Sequence, residues 1–223
     1  MITIEKASNE AVNYACTYFH YAAHPPRGNV LGYSVFNDGV WCGVVTFGSG
    51  ANNNIGKLYN LKQGEVCELT RVALNGKQTL TSQVVAQCLK LLKKDAPLVR
   101  LVVSYADADQ SHLGTIYQAT NWIYVGTNLE NQKDSSWIVN GKRIHGRNIS
   151  DWVRSHGGLK GLTRKEFIHK YYDPNAIEYV TKGKRKYLMP LDKKMKKQIS
   201  SYALPYPKED ENWQKVDRSA FKK

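Results

Sequence analysis

YADADQSHLGTIYQATNWIYVG, Tyr105 to Gly126, decides the fold. It packs two acids, a histidine and four aromatic side chains into one strand–loop–helix–strand passage. Leu98 to Tyr105, rich in Val and Leu, predicts a buried strand that delivers Asp107 and Asp109 to its carboxyl end. In open α/β sheets that is the edge where ligands sit. A short helix near His112 to Thr120 and a strand from Trp122 to Gly126 complete the passage.

Upstream, Ser8 is placed to cap a helix whose apolar positions Val12, Ala15, Cys16, Phe19, Ala22 and Ala23 keep the 3.6-residue period until Pro25 and Pro26 end it. Val30 to Phe36 and Val40 to Phe47 flank Asn37-Asp38-Gly39, a three-residue turn with Gly where positive φ is wanted, and predict an antiparallel hairpin. The Gly- and Asn-rich stretch from Gly48 to Gly56 predicts a loop. Val66 to Leu74 is the next strand. Ser82 to Lys94 is an amphipathic helix with Val84, Val85, Cys88, Leu89, Leu91 and Leu92 on one side and Lys90, Lys93 and Lys94 on the wet side. With a short opening strand the order becomes β-α-β-β-β-α-β-α-β. An antiparallel first half is followed by a parallel pair, Val66 to Leu74 and Leu98 to Tyr105, joined by a crossover helix.

Beyond Gly126 the pattern changes. Trp137 to Ile144 turns at Asn140-Gly141, Thr163 begins a helix through Tyr172, and Ile177 to Leu188 turns around Lys182-Gly183-Lys184. Asp192 caps a last basic helix, and a tail from Tyr202 carries Pro205, Pro207 and a small acidic cluster. The fold class is α/β, a mixed antiparallel/parallel sheet flanked by helices. Residues 1–126 form the expected catalytic core and residues 127–223 a basic C-terminal elaboration.

The formal charge of +13 is unevenly spread: residues 1–140 hold 11 Lys and Arg against 10 acids, residues 141–223 hold 21 against 9. Such a concentration points to a polyanion, and interleaved Tyr, Trp and Arg favour nucleic acid over a membrane surface. Lys142, Arg143, Arg147, Lys184, Arg185 and Lys186 are the candidate DNA-binding residues. No apolar run approaches the roughly 20 residues that span a bilayer, and the N-terminus lacks a leader pattern, so a cytoplasmic protein is expected. Cys16, Cys42, Cys67 and Cys88 lack metal spacing and suit core thiols in a reducing compartment.

Several side chains could carry chemistry. Arg71 stands in an otherwise apolar strand and needs an anion, either a structural acid or a substrate phosphate or carboxyl group. Glu68 is the nearest acid, but three residues along a regular strand it points to the opposite face, and only a bulge would reunite the pair. Asp107 is the candidate general base, while Asp109 fits a helix cap better. Tyr117 could donate a proton, stack on a base, or pack in the core. His20 and Tyr21, should they meet Asp107, could hold iron or another divalent metal. Thr81 and Ser82 could cap the second helix, whose exposed N–H groups could take a pyrophosphate.

The strand order resembles the GNAT acyltransferase plan, which implies that the parallel pair splays and that an acyl-CoA arm lies in the gap. HYAAHPP, VWCGVVTFGSGAN, ELTRVAL and SYADADQSHLGTIYQATNWIYVG together resemble the phage Mom family, covering about half the chain from Phe19 to Gly126. The resemblance implies a GNAT-like enzyme that converts adenine in phage DNA to N6-carbamoylmethyladenine and so shields it from restriction. It places active-site roles on Arg71, Ser82, Asp107 and Tyr117, with His20 and Tyr21 as iron contacts. The chain departs from the family pattern at Ala108, where Pro is expected, and at Gln83, where Arg is expected. ALNGKQTLTSQVV also lacks the glycines of the usual GNAT pyrophosphate loop.

The expected partner is double-stranded DNA, with a homodimer also open. The donor would be acetyl-CoA or another small molecule. An enzyme acting on adenine N6 in a duplex must expose the base, which Trp122, Tyr117 or Trp137 could then stack against. Two other readings stand beside this one: a conventional GNAT N-acetyltransferase for a protein or small-molecule amine, and a non-catalytic DNA-binding protein.

Overall fold

Strand β1 (Ile2–Lys6) pairs antiparallel with β2 (Val30–Asn37), β2 with β3 (Val40–Gly48), and β3 with β4 (Val66–Leu74). The computed structural model describes residues 1–50, 54–128, 130 and 132–208. Part of the loop expected from Gly48 to Gly56, and the acidic cluster of the tail, lie outside the described residues. Beyond β4 the sheet continues through β5 (Leu101–Asp107), β10 (Lys184–Pro190) and β6 (Ile123–Asn128), in the order β1-β2-β3-β4-β5-β10-β6. Helix α1 (Asn9–Tyr18) follows β1, α2 (Thr81–Asp95) joins β4 to β5, and α3 (Thr115–Gln118) precedes β6. The predicted order β-α-β-β-β-α-β-α-β and the parallel β4–β5 pair are both present.

The sheet belongs to one of two compact units, formed by Met1–Ala106, Leu113–Gly126 and Arg185–Lys223. Alternation along its strands assigns the layers. Val102 and Ala106 of β5 join Val84, Val85, Cys88, Leu92, Tyr117 and Trp122 in the core beneath α2 and α3. Leu101 and Val103 face the other way, toward Met195 and Ile199 of α6 (Lys193–Ile199). Over β3 and β4 that second face is covered by Val12, Ala15 and Cys16 of α1. Burial pushes the Cys16 thiol up, and those of Cys67 and Cys88 to about 12, so these thiols stay protonated.

The second unit comprises Asp107–His112 and Thr127–Lys184. It holds a three-stranded sheet, β8-β7-β9, made of β7 (Gln132–Val139), β8 (Lys142–Ile144) and β9 (Ile177–Thr181). Helices α4 (Gly146–Ser155) and α5 (Arg164–Tyr171) complete it. Trp137, Val139, Ile149, Phe167, Ile168 and Ala176 are its core. Thr163 and Glu166 cap α5 reciprocally, and Asn140-Gly141, both at positive φ, make the two-residue turn between β7 and β8.

Several expectations need correction. The first helix ends at Tyr18, not near Ala23. The His20 ring accepts the Ala22 N–H at 3.1 Å, Ala23 bonds the His20 carbonyl, and Ala23 takes φ 52°, so His20 and Tyr21 occupy a turn. The first hairpin turn has two residues, because Asn37 pairs with Val40 and Asp38 and Gly39 both have positive φ. Leu80, without a side-chain hydrogen bond, precedes α2, so neither Thr81 nor Ser82 caps it. Strand β5 starts at Leu101 rather than Leu98. The expected hairpin from Ile177 to Leu188 does not form: β9 pairs with β7, while β10 inserts between β5 and β6. Chain segment Arg185–Lys223 therefore groups with the large sheet rather than with the segment before it. Among the described residues no helix is long and apolar enough to cross a membrane.

Strand β10 supports α3 through Tyr187, whose hydroxyl donates to the Leu113 carbonyl. Gly114, at φ 79°, opens α3 so close to that ring that an added Cβ would lie 2.5 Å from it. Gly114→Ala should therefore cost about 2–4 kcal/mol, combining left-handed strain with overpacking. A denaturant titration with Ala119→Gly as a helix-end control checks this; a loss below 1 kcal/mol would show that the ring moves freely aside.

Candidate active site

Strands β4 and β5 hold together for only three pairs, Val66 with Leu101, Cys67 with Val102 and Glu68 with Val103, and then part. The Leu69 carbonyl, left without a partner on β5, receives the buried Ser104 hydroxyl at 3.1 Å. Ser104 Oγ is also 2.8 Å from the Tyr117 hydroxyl. Sequence reading passed over Ser104, although a lone hydroxyl inside LVVSYA was a usable signal.

A bulge on β4 sits at this opening. Thr46 pairs with Arg71 and Phe47 with Leu69, so Thr70 is the extra residue. Cys67 and Leu69 before it, and Val72 and Leu74 after it, all turn to the core under α2. Glu68 and Arg71 consequently share the opposite face, the reversal of alternation that only a bulge produces. Arg71 lies on the α1 side, where its charge acts on Cys16 against the upward push of burial. Its Nη1 donates to the Thr70 carbonyl at 2.8 Å, while its buried Nε has no hydrogen-bond partner. Among the described residues no carboxylate is within ion-pairing distance of Arg71. The structural ion pair is thus not the state of this guanidinium.

Tyr117 lies on α3 with its ring in the core, centroids 5.0 Å from Trp122 and 5.1 Å from Tyr187. Burial, offset partly by Ser104, raises its hydroxyl to about 12, so it is protonated at neutral pH. Trp122 is 0 %, Trp137 4 % and Tyr117 7 % exposed, so all three rings pack internally and none forms an open stacking platform. Ser82 is partly buried in the first turn of α2, the helix that packs on the core face of the sheet.

Asp107 takes the capping position expected of Asp109, and Asp109 is instead buried among hydrogen-bond donors. Asp107 ends β5 and its carboxylate accepts the Asp109 N–H at 3.0 Å, capping a 3₁₀ turn, Ala108–Gln110. The Asp109 side chain is only 4 % exposed and accepts from Arg143 (2.7 Å), the Thr181 hydroxyl (2.8 Å) and the Lys182 N–H (2.8 Å). Burial alone would raise its carboxyl, but these bonds prevail and hold it below its ordinary value. Arg143 also reaches Asp134 at 2.5 Å and lies 3.9 Å from the Tyr179 ring centroid. It is thus committed within the second unit and is a poor candidate for a DNA phosphate.

Of the expected metal set, His20 Nδ1 accepts the Ala22 N–H, Tyr21 stacks on His20 at 4.4 Å, and Asp107 ends β5. Among the described residues no three His, Cys, Asp or Glu side chains converge as a metal group. For DNA, Lys142, Arg147 and Lys184 are exposed. Lys186 is partly buried 5.0 Å over the Tyr59 ring, and burial lowers its ammonium; Arg185 beside it is partly buried.

A mixed sheet whose parallel strands part beside a partly buried arginine and a protonated tyrosine is GNAT-like in architecture. The chain belongs to the Mom protein family, which it matches over residues 1–208. It is similar to the methylcarbamoylase mom of Escherichia phage Mu, 26% identical over 178 residues, 76% of this chain and 71% of that protein. Similar solved structures include Arabidopsis thaliana NAA60 in complex with acetyl-CoA (TM-score 0.47, 10% identity, 86% of this chain and 99% of that one). The Vibrio cholerae spermidine/spermine N-acetyltransferase SpeG is another (TM-score 0.45, 7% identity, 90% and 96%).

Removing the Asp109 carboxylate leaves the Thr181 hydroxyl and Lys182 N–H unmet, so Asp109→Ala should cost roughly 3–5 kcal/mol. Since the folded carboxyl titrates below the ordinary value of about 4, its contribution is present above that pH and is lost as pH falls through the folded value. Native and variant should therefore differ fully at pH 7 and converge in strong acid; parallel stability curves down to pH 2 would refute the assignment.

Proposed function

We propose that this chain transfers a carbamoylmethyl group to adenine N6 in double-stranded DNA, a modification that shields the DNA from restriction endonucleases. Membership of the Mom family supports a DNA-modifying transferase. The observation that carries the chemistry is Arg71: a partly buried guanidinium beside the β4–β5 opening which, among the described residues, has no partner at Nε and no ion-paired acid. A cation in that state is stabilised by a substrate phosphate or carboxyl group better than by water it cannot fully reach.

The roles we assign follow the groups' protonation states. The N6 amine is a poor nucleophile because its lone pair is delocalised into the purine. As the N6–carbon bond forms, Asp107 receives an N6 proton, and the donor's leaving group departs with its electron pair. Tyr117, neutral at working pH, is the proton source for that group, with Ser104 orienting its hydroxyl. A small donor whose leaving group sits on the carbamoylmethyl carbon would lie along the opening, with Arg71 against its anionic part; acyl transfer from acetyl-CoA alone would give an N6-acetyl product instead. Ser82 and the N–H groups at the start of α2 would meet a pyrophosphate, although that loop lacks the usual glycines. Glu68, on the Arg71 face, would tune the local field.

Mass spectrometry of nucleosides from plasmid DNA of expressing cells tests the reading. A carbamoylmethyl-sized addition to deoxyadenosine is expected for the native chain. Asp107→Asn keeps an oxygen for the Asp109 N–H but cannot take a proton, and should lose about 10²–10⁴-fold in modification. Full activity in that variant would make Asp107 a cap and nothing more, while unmodified DNA from the soluble native chain would overturn the function. Arg71→Gln should likewise abolish product, with activity restored by neither higher expression nor Arg71→Met.

A further inference from the structure

The basic residues do not concentrate where the sequence pattern placed the DNA surface. The second unit, Asp107–His112 and Thr127–Lys184, holds 11 Lys and Arg against 8 acids, whereas the much shorter run 185–208 holds 7 against 1. Four of those seven, Lys193, Lys194, Lys196 and Lys197, stand on the single helix α6, all exposed.

Their arrangement works against the helix that carries them. Lys193 lies three and four residues from Lys196 and Lys197, and Lys194 three from Lys197, spacings at which like charges repel. Lys193 and Lys194 also occupy the first turn, where the helix dipole disfavours a cation. Asp192 is the adjacent acid, and it is engaged elsewhere: it accepts the Met195 N–H at 2.7 Å and Arg100 at 2.8 and 3.3 Å. Among the described residues none of the four lysines has an ion-pair partner.

The helix is nonetheless firmly seated, by contacts that exclude the lysines. Met195 and Ile199 are fully buried, and Gln198 Nε2 donates to the Tyr59 carbonyl at 2.7 Å. That last bond sets α6 beside the 3₁₀ turn Lys57–Tyr59, whose exposed Lys57 extends the charge. From Lys193 to Lys197 the helix rises ~6 Å, close to the spacing of neighbouring phosphates on one DNA strand. The lysine set is therefore rigidly displayed, unfavourable for folding and spaced for a phosphate backbone.

We propose that α6, with Lys57, is a sequence-independent contact surface for the DNA phosphate backbone, carried by the same compact unit as Arg71 and Tyr117. The inference rests on the DNA-modification reading and locates its polyanion contact on the transferase unit rather than on residues 142–147. Charge at this position holds the duplex while sequence and base are read elsewhere.

The test measures fluorescence anisotropy of a labelled 30-bp duplex with the full chain from 50 to 200 mM salt. Replacing Lys193, Lys194, Lys196 and Lys197 together with Gln should weaken binding by about tenfold or more at 100 mM and reduce the slope of log K against log salt by about 2–3. Lys193→Gln with Lys197→Gln should give roughly half that change in slope. Thermal stability should hold or rise as repulsion is relieved. Unchanged affinity and slope in the fourfold variant, with Lys142→Gln/Arg147→Gln weakened instead, would overturn the α6 assignment and leave the DNA reading intact. A native chain that binds no duplex even at 50 mM salt would overturn both.

Discussion

The parting of β4 from β5 depends on one hydroxyl. A parallel pair that separates after three registered residues leaves a buried carbonyl at Leu69, and an unpaired backbone group in an apolar core costs as much as a lost hydrogen bond. Ser104 meets that carbonyl from across the opening and is itself tied to Tyr117. The gap is thus an equilibrium feature, held open without being a torn ladder. The same hydroxyl fixes the tyrosine that borders the opening, while burial, against the opposing pull of Ser104, keeps Tyr117 protonated.

On the other lip the bulge at Thr70 does comparable work. A strand of strict alternation would send Glu68 and Arg71 to opposite faces; one extra residue places both on the face away from α2 while keeping Cys67, Leu69, Val72 and Leu74 in the core. Burial of an unpaired guanidinium is costly, yet here its nearest bond is only to the carbonyl of its own neighbour. Among the described residues no acid pairs with this arginine, and an anion arriving with substrate is the role proposed for it.

Local periodicity made most of the large sheet legible. The bounds of Val66 to Leu74, the crossover helix, the caps at Ser8, Thr163 and Asp192 and the Asn140-Gly141 turn follow from residues that are near neighbours in sequence. What stayed hidden is non-local. Lys182-Gly183-Lys184 has the composition of a hairpin turn, but Thr181 and the Lys182 N–H bind Asp109, more than seventy residues away, and the chain leaves that clasp for a different sheet. The two aspartates of YADADQ are likewise indistinguishable by type. Arg143 and Thr181, remote in sequence, are what make Asp109 the buried partner and leave Asp107 as the cap.

Charge shows the same limit from the other side. Net counts along the chain point to a polyanion-seeking C-terminal half, but they treat every cation alike. Structure sorts them. Arg143 is consumed by two carboxylates and a tyrosine ring, Arg100 by Asp192, and Lys186 by burial over Tyr59. The four lysines of α6 are among those left exposed, on a helix whose anchoring bonds avoid them and whose dipole opposes Lys193 and Lys194. A residue that stabilises neither its helix nor its neighbours is explained by what it meets outside the molecule. Here the spacing and sign of that charge match a phosphate backbone.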